Sequence, residues 1–236
     1  MKVGRITYIF RVFWHFRYYI LCAAAMLVLW DTIFMYPFRL FVVMVHEVCH
    51  AGAALLTGGE VLEIRTNWNE SGHTLTRGGF FPLISSAGYV GSALIGALLI
   101  YTGNYAQAQR LVLLLIGAVC LGMTLWYTPR GGLDFYLGLG GGIALMFMAF
   151  KSTRTAAMAS TWMGIVLCLY SWYDFRTDLW LATEKTDAGI LAHYWGGEGG
   201  LWMAYPIALI WVLFSLSVMY RAMRGLVRGN KQMKLR

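Results

Sequence analysis

The sequence predicts an all-α polytopic membrane protein of six to seven transmembrane helices with one short β-hairpin, and three observations lead there. The 236 residues are 59% hydrophobic, 16% aromatic and only 13% charged, too few charges to cover a soluble domain of this size. Apolar runs of nearly membrane-spanning length recur along the chain. Lys and Arg gather at its two ends: Lys2, Arg5, Arg11 and Arg17 near the start, and Arg221, Arg224, Arg228, Lys231, Lys234 and Arg236 near the finish, with no acidic residue in residues 1–17 or 221–236. Most of the formal charge of +8 therefore belongs to the termini.

Crossing about 30 Å of hydrocarbon takes about 20 helical residues. The runs Tyr18 to Phe38, Leu40 to Gly58, Phe80 to Thr102, Leu111 to Tyr127 and Gly199 to Tyr220 approach that length, and Thr155 to Tyr173 makes a sixth. Phe135 to Phe150 is short and interrupted by Gly138, Gly140, Gly141 and Gly142, so it is the expected incomplete or re-entrant crossing. An even total keeps both basic termini on the cytoplasmic side, as the positive-inside bias requires. The aromatic-studded N-terminus lacks a small-residue cleavage site and reads as a retained first span.

Residues 60–79 are the most strand-like. Leu62, Ile64, Thr66 and Trp68 alternate with Glu63, Arg65 and Asn67, and Asn69-Glu70-Ser71-Gly72 supplies turn chemistry before a second short strand. Such a hairpin could offer an edge to an extended substrate. Residues 174–198 form a second polar stretch, and nothing marks a separate domain, so residues 1–236 read as a single polytopic unit with a basic N-terminal segment (1–17), a hairpin (60–79) and a basic tail (221–236). Both basic segments adjoin apolar runs, which assigns them to anionic headgroups rather than nucleic acid. Cys22, Cys120 and Cys168 stand singly and Cys49 has no CxxC partner, so neither a disulfide framework nor a cysteine metal site is expected.

The chemistry concentrates in His46-Glu47-Val48-Cys49-His50, an HExxH pattern inside an apolar run. Helical residues four apart share a face, so both imidazoles can reach one metal with Glu47 beside them. Buried in a bilayer, such residues are costly unless they pair or ligate. A catalytic zinc usually has three protein ligands, and no histidine follows at close spacing, so the third comes from elsewhere in the chain: Asp31, His73, Asp134, Asp174, Asp178, Asp187, His193 or Glu198. Asp174 is the first choice because it closes the run Thr155 to Tyr173 at the membrane boundary. Asp178, one turn on, would share its face and could orient a ligand.

The segment from His46 to Gly59 resembles the HExGHAxAAxLTGG stretch of the bacterial site-2-protease-like "B" subgroup of intramembrane zinc metallopeptidases. The likeness continues through Ser71-Gly72-His73-Thr74, Arg77-Gly78-Gly79 and Ser86-Ala87-Gly88-Tyr89-Val90-Gly91, and more weakly through Tyr173-Asp174 and Thr186-Asp187-Ala188. Cys49 replaces the usual glycine, and Gly132-Leu133-Asp134 is a scrambled echo of the LDG triplet of better-known site-2 proteases. The resemblance implies a multi-pass protein of a bacterial cell membrane and a Zn2+-dependent protease of membrane-embedded substrates. His46 and His50 are its implied ligands and Glu47 its general base acting on a zinc-activated water; a later aspartate, assigned to Asp174 with Asp134, Asp178 and Asp187 open, completes the set. The rival functions are a catalytically inactive metal-binding scaffold, a metal transporter, and a zinc protease whose third ligand is a glutamate.

Overall fold

The computed structural model describes the backbone of residues 5–233 except residue 182. In chain order it comprises α1 (Arg5–Leu29), α2 (Tyr36–Leu56), β1 (Glu60–Thr66), β2 (Gly72–Arg77), α3 (Phe81–Tyr101), α4 (Ala106–Tyr127), α5 (Leu133–Lys151), α6 (Thr153–Leu181), α7 (Asp187–Gly196) and α8 (Ala204–Met233), with 3-10 turns at Thr102–Asn104, Thr183–Lys185 and Gly197–Met203. The protein is an all-α polytopic membrane protein carrying one two-stranded antiparallel hairpin. Among the described residues, α2, α3 with its following turn, α4, α5 and α8 with part of its preceding turn are long and apolar enough to cross a bilayer.

Two expectations need correction. The run Tyr18 to Phe38 is not one span: α1 stops at Leu29, the chain turns through residues 30–35, and α2 starts at Tyr36 with Pro37 in its first turn, where proline's missing N–H costs nothing. Phe135 to Phe150 is not interrupted, being part of the continuous 19-residue helix α5. Its glycines serve contact. A Cβ at Gly142 would come within 2.9 Å of the Gly117 carbonyl oxygen on α4, so the two backbones meet where side chains are absent. Gly96 and Gly164 bring α3 and α6 together in the same way.

Helix α6 runs through the core, with Val166, Leu167 and Cys168 buried against residues of α1, α2 and α3. It is antiparallel to α3: Gly96 meets Gly164 and Cys168, while Tyr89 meets Tyr170 and Asp174. Helix α2 is also antiparallel to α3, since Thr57 just after α2 meets Phe80 just before α3, His50 meets Ile84 and His46 meets Tyr89.

The hairpin folds back along α2. Its tip is held at the start of that helix, where Arg39 Nε and Nη2 each donate to a Glu70 carboxylate oxygen at 2.7 Å and the Tyr36 hydroxyl donates to the Trp68 carbonyl. Val61 and Ile64 pack against Val48, Ala51, Ala54 and Ile84. The simple alternation read from sequence places Leu62 with Ile64, but a bulge between Val61 and Glu63 leaves Leu62 outside the register and 41% exposed, so Val61 takes the inward position. One extra residue flips the face of what precedes it.

Candidate metal centre

Helix α2 presents His46 and His50 on one face, both buried, and Glu47 one step round the helix, also buried. Across from them, α3 supplies the Ile84 carbonyl, which accepts from His50 Nδ1 at 2.6 Å. That bond fixes the ring and leaves Nε2 turned inward. His46 Nε2 lies 3.0 Å from His50 Nε2, and its Nδ1 has no hydrogen-bond partner among the described residues.

The third group comes from a distant part of the chain. Thr186 caps α7, its hydroxyl accepting from Gly189 N at 3.1 Å and donating to Thr183 O at 2.8 Å, so Asp187 occupies the helix's first turn. Carboxylates are favoured there by the helix dipole. The Ser85 hydroxyl of α3 donates to the Asp187 carbonyl at 3.0 Å and ties the start of α7 to the site. Asp187 Oδ2 then sits 2.9 Å from His46 Nε2 and 3.2 Å from His50 Nε2. Burial by itself would raise the Asp187 carboxyl, but His50 and His46 beside it outweigh that and hold it below the usual carboxylate range.

These three residues can offer one ligand atom each with all such atoms within 4.8 Å of one another, and they are the one such group of His, Cys, Asp or Glu among the described residues. With His50 Nδ1–H committed to Ile84, two ring nitrogens and a carboxylate oxygen converge on a spot that needs positive charge to hold it together. Two nitrogens and one oxygen are the donor types of a catalytic zinc, whose bonds of about 2.0–2.1 Å would set tetrahedral ligands roughly 3.3 Å apart. Gly88 makes the space. A Cβ there would fall 2.3 Å from His46 Nε2 and 2.5 Å from His50 Nε2.

A hidrogen-bonded shell surrounds the centre. The Thr74 hydroxyl on β2 lies 2.7 Å from Glu47 Oε2 and 3.0 Å from the Glu47 carbonyl, and its single hydrogen goes to one of them. Gly72 also approaches Glu47, since a Cβ there would come within 2.4 Å of Oε1. The Tyr89 ring stands edge-on to His46, with centroids 4.6 Å apart, and its hydroxyl donates to Asp174. Thus Asp174, the first-choice ligand by sequence, is hydrogen-bonded by a tyrosine that touches His46 and is not part of the converging group.

The remaining candidates lie elsewhere. Asp134 is buried at the start of α5, accepting from Phe135 N at 3.0 Å and lying 3.5 Å from Arg65 Nη1. His73 is exposed on β2, His193 is exposed on α7, and Asp31 is exposed between α1 and α2. The side chains of Asp178 and Glu198 lie outside the described residues. Three contributors that composition and spacing did not single out, Thr74, Ile84 and Ser85, join the site through hydrogen bonds. A weak signal for Asp187 was present: Thr before Asp is a helix-start pattern, and it puts an acid in a first turn.

A family of known description matches this chain over residues 19–222, Peptidase M50B-like. The chain belongs to this Peptidase M50B-like family. Membership implies an intramembrane metalloprotease, and for this M50B-like chain it agrees with the membrane-spanning helices and with a His46, His50 and Asp187 group compatible with zinc. The family implies membrane-embedded substrates in a bilayer. No curated protein and no solved structure matches this M50B-like chain.

Proposed function

We propose that this M50B-like protein is a zinc endopeptidase that hydrolyses peptide bonds of membrane-embedded substrates, with His46, His50 and Asp187 as metal ligands and Glu47 as general base. The observation that carries the reading is the convergence of His46 Nε2, His50 Nε2 and Asp187 Oδ2 to within 3.2 Å beside a buried glutamate. It favours Asp187 over Asp174 as third ligand because a donor must reach the same point as the two imidazoles, which Asp174 does not do.

Zinc bound there supplies Lewis acidity toward the attacking water and the scissile carbonyl. Ile84 fixes the His50 tautomer, and Ser85 fixes the start of the helix that delivers Asp187. Glu47, oriented by Thr74, takes the proton of the attacking water and passes it to the leaving amine. A substrate helix keeps its backbone hydrogen bonds in lipid, so a local break in that helix must precede attack.

The test is zinc content and cleavage of a single-span substrate by purified wild type, Glu47→Gln, Asp187→Asn and Asp174→Asn. Glu47→Gln retains zinc and loses about 10²–10⁴ in rate. Asp187→Asn loses both zinc and activity, whereas Asp174→Asn keeps its zinc. Zinc lost from the Asp174 variant and kept by the Asp187 variant would return the third ligand to Asp174.

A further inference from the structure

A cavity of about 890 Å³ lies between α1, α2, α5 and α6. Helices α1 and α5 each pack against α6, and α5 also packs against α2. The space left between them is walled by side chains such as Cys22, Phe41, Leu137 and Trp162. A Cβ at Gly140, on the α5 wall, would meet nothing within 4 Å. Phe38, Met148 and Met158 also line the cavity and are exposed, so it is reached from the side of the bundle. The His46, His50 and Asp187 group does not line it.

The lining runs from Arg154 to Met163 along α6 and from Met148 to Leu137 along α5, roughly 13–17 Å at a rise of 1.5 Å per residue. Both runs begin beside the turn that joins the two helices, at the end of α5, which is long and apolar enough to cross a bilayer. The cavity is therefore about as deep as one leaflet, half of the ~30 Å hydrocarbon layer. Left empty, an apolar cleft of this size forfeits dispersion contacts along its whole wall, and water finds too few polar partners there to fill it. A lipid chain supplies those contacts. A substrate helix, about 10–12 Å across with its side chains, needs more room over the same depth than the cavity offers.

The polar groups of the lining include a charged donor. Arg154 is exposed in the first turn of α6, is the one charged residue of the lining, and belongs to none of the ion pairs among the described residues. Gln109, 3% exposed, brings a side-chain amide to the same end, because its neighbour Arg110 donates from Nε to the Ala149 carbonyl at 2.7 Å. Trp162 lines the cavity and has a buried indole N–H with no hydrogen-bond partner among the described residues. Helical side chains lean toward the N-terminus of their helix, which for α6 is the Arg154 end. Residues 102–110 and 148–158 contain Arg110, Lys151 and Arg154 and no Asp or Glu. Acids do lie beside the start of α2, which gives Pro37 and Phe38 to the wall. Asp31 and Glu70 nevertheless do not line the cavity, and Glu70 is held by Arg39.

We propose that this cavity is a binding site for one anionic phospholipid. An acyl chain lies between α1, α5 and α6, the phosphate rests on the Arg154 guanidinium, and the ester oxygens accept from Gln109 and Trp162. A guanidinium matches phosphate oxygens in both charge and geometry, whereas a zwitterionic headgroup brings a cation of its own to the same basic end.

The full chain, purified and reconstituted in phosphatidylcholine bilayers, tests this with lipids whose acyl chains are brominated. Quenching of Trp162 is read as the difference between wild type and Trp162→Phe. Brominated phosphatidylglycerol reaches half-maximal quenching at a mole fraction at least about fivefold lower than brominated phosphatidylcholine, the factor expected of one arginine at an anionic headgroup. Arg154→Gln makes the two lipids equivalent, and Arg154→Lys keeps the preference. Gly140→Leu, which fills the cavity, abolishes the quenching of Trp162 while helicity by circular dichroism is kept; the Arg154 variants, altered at an exposed position, keep the test standing if that protein misfolds. Equal quenching by the two lipids in wild type means an unselective lipid surface and overturns the proposal. No quenching of Trp162 by either lipid means that another occupant fills the cavity, and a preference that survives Arg154→Gln means that the headgroup lies elsewhere; each overturns it as well.

Discussion

The candidate metal centre is assembled from two regions of contrasting construction. The α2–α3 wall brings His46, Glu47 and His50 from one helical turn and Ile84, Ser85 and Gly88 from its antiparallel neighbour, all within helices that are mostly buried at this depth. Helix α7, by contrast, is ten residues long and sits at one end of the bundle, with Ile190, Tyr194 and Trp195 exposed. The first region is rigid by packing; the second is positioned by a Thr186 cap, a Ser85 hydrogen bond and a small apolar cluster with α8. The lesson is that the two imidazoles of this group are set by local helix geometry, while its carboxylate depends on tertiary docking of a separate element.

Substitutions can break that contrast. The largest effect is expected from Gly88→Ala, because the added methyl overlaps both ring nitrogens on the rigid side, which cannot yield; zinc affinity falls by about 10–100-fold or more while helicity by circular dichroism is kept. Unchanged zinc affinity would mean that the wall is softer than its packing implies. Thr74→Val, which removes the hydroxyl at Glu47, lowers kcat by about tenfold with KM little changed, and Thr74→Ser restores it. A proportional rise in KM instead would move Thr74 from orienting Glu47 to binding substrate. Ser85→Ala loosens only the docked side. It costs about 1 kcal/mol in the docking of α7, read as a roughly fivefold weaker zinc affinity. The smallest effect belongs to Glu70→Gln at the hairpin tip, where the Arg39 pair contributes about 1 kcal/mol or less to thermal stability and the metal content does not change.

The same contrast governs what could be read from the sequence. HExxH was legible because its chemistry depends on residues one and four apart, a relation that any regular helix enforces. The carboxylate that converges on the two imidazoles was less so, because ranking the aspartates by the length of the preceding apolar run favours Asp174 at the end of a span-like segment. In the structure α6 continues past Asp174 to Leu181, so the apolar run does not mark the helix end, and the acid that reaches the imidazoles opens a short helix whose sequence has no strong apolar period. The hairpin was legible from its turn residues, but its inward face was not, since the bulge at Leu62 is a matter of pairing with β2. Span counting failed at α1 and α5 for related reasons: hydropathy hides a turn at residues 30–35, and glycines that suggest a break instead make the α4–α5 contact.

The Thr186–Asp187 helix start also bears on how proteins of this kind diverge. A lineage could abandon hydrolysis by altering one capped turn at the edge of the bundle, leaving every residue of HExxH, the hairpin and the core in place. Under the proposed ligand set such a descendant would pass any scan for the five-residue pattern and yet be inert, which makes an acid at the opening of the short helix before the last span the more discriminating mark to look for.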